Sequence, residues 1–149
     1  ITWKGGSIKN QATRKKDMSI TSLGEVLNCL NYKFINLQYG STDIELETLK
    51  TNFGVDVECF PEIDNFSNLD GLAALVNTCD CVISVDNLTV HLAGALGVQA
   101  YVLLPFSASW RWGNYTKKSY WHSSLHLLRQ KEIFNWSEPL KELQFHLKQ

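Results

Sequence analysis

Two short apolar runs, Cys81-Val82-Ile83-Ser84-Val85 and Ala100-Tyr101-Val102-Leu103-Leu104, bracket a segment of small residues that ends at Gly97. Neither run alternates between apolar and polar positions, so both of its faces must be covered. That is the condition of a central parallel strand. Between them, Leu88 to Leu96 reads as a helix closed by Gly97. A strand, a covering helix and a second strand form a βαβ step, and such steps build α/β folds.

The rest of the chain repeats the alternation. Residues 1–4 read as a strand ending at Gly5-Gly6, and 7–19 as a polar, basic loop. Thr21 to Leu30 is helical by the spacing of Leu23, Val26, Leu27 and Leu30. Lys33 to Gln38 is a strand stopped by Gly40. Ser41 or Thr42 caps a helix carrying Ile44, Leu46, Leu49 and Phe53 and ending at Gly54. Val55 to Phe60 is a strand, Leu69 to Val76 a helix, and Leu125 to Leu128 a last strand. Ser137 caps a final helix with Leu140, Leu143 and Leu147 on one face.

These six steps predict one domain over residues 1–149: a Rossmann-like, doubly wound parallel sheet of about six strands, in the order 3-2-1-4-5-6. In that order the first and fourth strands are neighbours at the switch point, where ligands bind. The loop Gly5-Gly6-Ser7 is then expected to face the turn Asp86-Asn87-Leu88-Thr89.

Composition narrows the function classes. The 149 residues carry a formal charge of −1, without the basic surplus of a nucleic-acid protein held by phosphate contacts. No apolar run approaches the roughly 20 residues of a membrane span, and no signal peptide is visible. The four cysteines, at 29, 59, 79 and 81, lack CxxC spacing. Cys59 and Cys81 fall in strands expected to be buried, which reads as free thiols in a reducing compartment, hence the cytoplasm. Four Asn-x-Ser/Thr triplets, at Asn65, Asn87, Asn114 and Asn135, are read as incidental. The start at Ile1, inside an expected strand, reads as a piece of a longer protein.

The turn at 81–97 carries the strongest chemical signal. The first-turn N–H groups of a helix lack internal partners and sit at its positive end, so an anion is favoured there. The dipole contributes about 0.3–1 kcal/mol, and each hydrogen bond to a charged group roughly 1.5–3 kcal/mol. A few such bonds reach the about 8 kcal/mol of micromolar affinity. Asn87 and Thr89 add side-chain donors, and His91, one turn in, reaches a ligand oxygen. Asp86, an acceptor only when ionised, is assigned to organising the turn. A plainer reading also fits: Asp86 or Asn87 caps the helix, His91 pairs with Asp86, and Ala93, Gly94 and Ala95 allow close packing.

Two further signals surround it. Gly5-Gly6 lets backbone approach a ligand, and Lys9, Arg14, Lys15 and Lys16 follow. Three of the five tryptophans lie between Pro105 and His122. They either pack this loop down or stack on a sugar or base, with Arg111 near a phosphate. His122 and His126 have no nearby carboxylate and make no metal site. There is no GxGxxG, no P-loop, no GxSxG and no DxD triplet.

Val85-Asp-Asn-Leu-Thr-Val-His-Leu-Ala-Gly-Ala-Leu-Gly97, Val102-Leu-Leu-Pro-Phe106, Trp110-Arg-Trp112, Trp121 and Leu128-Arg-Gln130 together resemble the carboxyl-terminal domain of heptosyltransferase-like glycosyltransferases. The likeness is to the bacterial form fused to tetratricopeptide repeats. Trp3-Lys4-Gly5-Gly6 and Leu37-Gln38-Tyr39-Gly40 fit the same pattern. The resemblance implies one half of a GT-B fold that binds a nucleoside-diphosphate sugar, with no cofactor and no metal. It implies diphosphate contacts from Gly5, Gly6, Ser7, Asn87, Leu88, Thr89 and His91, and sugar, base or phosphate contacts from Gln38, Trp110 and Arg111. The reaction implied is metal-independent and inverting. The general base belongs to an amino-terminal domain, so this chain alone is expected to be inactive. Where the family tends to carry Arg before Ser19, this chain has Met18, with Lys15 or Lys16 as substitutes. The partners expected are the sugar donor and an amino-terminal GT-B or repeat segment. The alternative is a non-catalytic scaffold or nucleotide-sugar sensor.

Overall fold

The computed structural model describes residues 1–5, 16–114 and 116–148. Its helices are α1 (Ile20–Leu27), α2 (Asp43–Phe53), α3 (Leu69–Thr78), α4 (Leu88–Ala95) and α5 (Ser137–Leu147). Its strands are β1 (Phe34–Ile35), β2 (Val57–Glu58), β3 (Val82–Val85), β4 (Ala100–Leu104) and β5 (Leu125–Arg129). A 3₁₀ turn spans Trp110–Trp112.

The expected six-stranded sheet in the order 3-2-1-4-5-6 is not what forms. Two separate parallel sheets are present, β1-β2 and β3-β4-β5. Val82 pairs with Ala100 and Ala100 with Leu125, and the register continues to the pair Leu104–Arg129. Residues 1–4, expected as the first strand, are extended chain between the two sheets. Leu37 N–H donates to the Ile1 carbonyl at 3.1 Å, and Thr2 N–H donates to the Ile83 carbonyl at 2.9 Å.

Side chains interrupt the ladder beyond those two bonds. The Gln38 Oε1 accepts from the backbone N–H groups of both Trp3 (3.0 Å) and Lys4 (2.8 Å), where a strand's carbonyl would otherwise serve. The Asn36 Oδ1 accepts from Gln38 N–H at 3.0 Å, turning the chain out of β1 after two residues. Buried polar side chains thus satisfy backbone groups that a continuous sheet would have paired.

The central strands behave as their composition requires. Every residue of β3 and β4 is buried. Ile83, Val85, Tyr101, Leu103 and Leu128 pack with Leu23, Leu27, Leu49, Leu140 and Leu143 of α1, α2 and α5. Val82, Ala100, Val102, Leu104, Leu125 and Leu127 pack with Leu72, Leu75, Val76, Val90 and Ala93 of α3 and α4. Helices therefore cover both faces of the three-stranded sheet.

Several local expectations shift. The helix expected from Thr21 to Leu30 is α1, one residue earlier at its start and shorter at its end. The expected strands 33–38 and 55–60 shrink to two residues each. Cys59, expected inside a buried strand, is exposed because β2 ends at Glu58. Ile44 points to solvent although its helix forms. Ser137 opens α5 without capping it; the Asn135 Oδ1 instead accepts from Ser137 N–H at 3.0 Å. Gly54 ends α2 in the left-handed region that a side chain rarely adopts.

Candidate functional site at the start of α4

β3 runs into α4 through Asp86 and Asn87, as the sequence led one to expect. Gly5 does meet this turn: a Cβ at position 5 would lie 2.7 Å from the Asp86 carbonyl oxygen. Only glycine allows that approach. Gly6 and Ser7, with Lys9, Arg14 and Lys15, lie outside the described residues.

Asn87 plays a different part from the one expected. It stands at the N-cap in extended conformation, but its side chain makes no capping bond. Instead its Nδ2 donates to Thr2 Oγ1 (2.8 Å) and to the Lys4 carbonyl (3.2 Å). Its Oδ1 accepts from Ser84 Oγ at 3.0 Å, and Ser84 Oγ lies 2.6 Å from Thr2 Oγ1. The three side chains close a ring of hydrogen bonds that ties residues 2–4 to β3. The N–H groups of the first turn of α4 are left without a side-chain cap.

Asp86 is 3% exposed and pairs with Lys16 Nζ at 2.5 Å. Its recorded side-chain partner is Lys16, where the plainer sequence reading paired it with His91. The Asp17 Oδ1 accepts from Gly5 N–H at 2.9 Å, and Met18 N–H donates to the Trp3 carbonyl at 2.9 Å. These contacts bring Lys16 beside the turn and send Met18 into the core.

His91 lies flat on Trp112, with ring centroids 5.0 Å apart and planes 16° apart. The His122 ring stands 6.4 Å away at 61°. Burial is the main cause that holds the His91 imidazole below the usual histidine range. Asp86 pulls the other way, while Arg111, His122 and Lys16 push it lower still. Gly94 makes room for His122: a Cβ there would come within 2.5 Å of the imidazole. Thr89 is buried and Leu88 exposed. The Trp112 Nε1 is buried with no hydrogen-bond partner among the described residues.

The remaining predicted residues divide. The Gln38 carboxamide is engaged inside the fold, with its oxygen on two backbone N–H groups. Arg111 and Trp110 are exposed on the 3₁₀ turn. Trp110 meets Trp121 edge to face at 6.5 Å, and Trp121 Nε1 donates to the Arg111 carbonyl at 3.1 Å. Phe106 and Tyr120 are exposed as well. Trp112 is the one tryptophan of this loop that packs inward. The His122 and His126 imidazoles, four positions apart, meet different rings, His91 and Tyr101. Among the described residues no group of three or more His, Cys, Asp or Glu could hold a metal ion, and no helix is long and apolar enough to cross a membrane. A cleft of about 550 Å³ between α1 and α5, lined by Val26, Phe134, Trp136 and Leu140, includes none of the predicted site residues.

His122, weighed in the sequence only with His126 as a metal pair, is brought against His91 by the fold. One signal was available: residues 87–131 contain no Asp or Glu, while Arg111, Lys117, Lys118, Arg129 and Lys131 fall within them. A stretch this free of acid suits an anionic ligand.

No family model and no solved structure matches the chain. Over 137 residues, 91% of its length, it is 34% identical to "Protein FlbA" of Caulobacter vibrioides (strain ATCC 19089 / CIP 103742 / CB 15). The match covers 22% of that relative, so the chain corresponds to about a fifth of a much longer protein.

Proposed function

We propose that this chain binds the diphosphate of a nucleoside-diphosphate sugar at the amino end of α4, as the donor-binding part of a glycosyltransferase. The observation that carries the reading is charge. Lys16, Arg111 and His122 all act on His91 beside an uncapped helix start. The Asp86 carboxylate is ion-paired with Lys16, and the Asp17 carboxylate is held on the Gly5 N–H. A dianion at this point would gain the helix dipole, first-turn N–H groups that the Asn87 side chain does not cap, and the charge of Arg111. The exposed Trp110 and Trp121 offer rings on which a sugar or base stacks. In a metal-independent, inverting transfer these groups would stabilise the departing diphosphate. The resemblance assigns the acceptor's general base to an amino-terminal domain outside this chain.

An amide-resolved titration with UDP-, ADP-, GDP- and CDP-linked sugars tests the reading. Shifts at Gly5 and at Asn87 to His91 with one of these are the expected result. Arg111 is exposed, so Arg111→Gln removes a cation without opening the core. Loss of one charged hydrogen bond, roughly 1.5–3 kcal/mol, predicts binding about 10- to 100-fold weaker. Silence across the panel in a folded sample, or an Arg111→Gln variant that binds unchanged, would refute it.

One observation favours a non-catalytic, nucleotide-sugar-sensing module instead. Met18, at the position where the resemblance calls for Arg, is 3% exposed and sits in the core. Transfer of sugar by the full-length protein, lost on Arg111→Gln, would decide for the enzyme.

A further inference from the structure

A cavity of about 240 Å³ lies at the amino ends of β1 and β3, away from the start of α4. Ile1, Phe34 and Leu147 give it an apolar wall, and Lys33, Cys79 and Cys81 line it as well. Both cysteines are free and half-buried. Cys79 ends α3 in extended conformation, and Cys81 stands two residues on, just before β3. Each thiol acts electrostatically on the Ile1 amino group, and Cys79 acts on Cys81, so the two sulfurs converge on this one cavity. Spacing decides what such a pair can hold. In extended chain, Cα atoms two residues apart lie up to about 6.6 Å from each other, and their side chains share a face. A disulfide needs Cβ atoms within about 3.5–4.5 Å. An ion with metal–sulfur bonds of about 2.3 Å spans roughly 4.5 Å between sulfurs, which two thiols leaning together can meet. Structural zinc takes four ligands, and iron–sulfur clusters take four cysteines. No group of three or more His, Cys, Asp or Glu forms a metal site among the described residues. Two thiolates alone suit a soft monovalent ion.

We propose that Cys79 and Cys81 form a two-coordinate site for copper(I), held between their sulfurs at the mouth of β3. Binding is a ligand exchange: two S–H groups give their protons to solvent, two copper–sulfur bonds form, and the copper stays monovalent throughout. The resulting complex carries one negative charge, which Lys33 on the cavity wall offsets. Burial above all holds both thiols above the usual cysteine range. The Ile1 amino group pulls the other way, and Asp80 adds to the rise. Both thiols are therefore protonated at pH 7 before an ion binds, and binding tightens as pH rises.

The probe is copper(I) supplied to the full chain as its bicinchoninate complex, kept reduced by ascorbate without oxygen. The variant carrying Cys29→Ser and Cys59→Ser lacks the two exposed thiols. It should draw one copper(I) per chain from the chelator, as the unaltered chain does. Adding Cys79→Ser or Cys81→Ser should weaken that uptake by at least about 100-fold, the upper range for losing a mere outer-shell partner. X-ray absorption of the copper-loaded double variant should show two sulfurs and no other ligand, a readout that does not depend on the further variants folding. Absence of uptake, uptake that survives either added change in a folded sample, or a copper shell holding a third sulfur or a nitrogen would overturn the site. None of these outcomes bears on the diphosphate reading, which concerns the opposite ends of the strands.

Discussion

Replacing Asn87 with alanine is expected to damage the fold before it damages any ligand site. The Asn87 side chain makes three hydrogen bonds, to Thr2 Oγ1, the Lys4 carbonyl and Ser84 Oγ. Each neutral bond contributes about 0.5–1.5 kcal/mol net. Thr2 and Ser84 still have each other after the change, but the ring is opened. The expected loss is therefore about 1.5–4.5 kcal/mol, the sum of three such bonds. At a urea dependence of about 2 kcal/mol per molar, the midpoint falls by about 0.8–2.2 M with its slope unchanged. Asn87→Asp should fall at least as far, because it loses both donated bonds and sets a carboxylate against the Lys4 carbonyl and Asp86. Urea unfolding followed by tryptophan fluorescence measures both. A loss below about 0.5 kcal/mol for Asn87→Ala, the range of ordinary surface changes, would refute the claim that this ring joins residues 2–4 to β3.

Two further outcomes follow from buried groups. Gln38→Leu strips the acceptor from two N–H groups at about 1–3 kcal/mol each, so a loss of about 2–6 kcal/mol is expected in the same assay; Gln38→Glu, which keeps an acceptor oxygen, should lose less. His91 and His126 are both held below the usual histidine value, mainly by burial, with His146 and Lys118 adding to the effect at His126. The unfolded chain then binds more protons than the native one below about pH 6.5, so stability is complete above that value and declines as pH falls through the lowered native values. His126→Gln should make the melting temperature less sensitive to pH between about 7 and 5, and an unaltered slope would count against His126 as a source.

The α/β class and the βαβ step at its centre were legible in the residues. Apart from Ser84, the covered positions of Cys81–Val85 and Ala100–Leu104 carry hydrophobic residues, and the small-residue segment between them forms α4. Covalent neighbours and burial periodicity settle such elements, because the information is local. The meeting of Gly5 with the 86–89 turn was also foreseen from strand order, although the order itself was wrong in treating residues 1–4 as a strand.

The interruption of the sheet was not legible. Thr2, Asn36, Gln38, Ser84 and Asn87 lie up to 85 positions apart in the chain and act on one another only after collapse. In a sequence they read as ordinary polar residues, and Asn87 and Gln38 read as ligand contacts. Folding buries them, and a buried polar side chain must find partners. They find backbone groups and each other, which cuts the ladder into two sheets and commits Asn87 and Gln38 to the fold. The same collapse sets His122 over Gly94 and against His91, across 31 positions, because the vacancy left by a glycine has a consequence only when a neighbouring element packs into it.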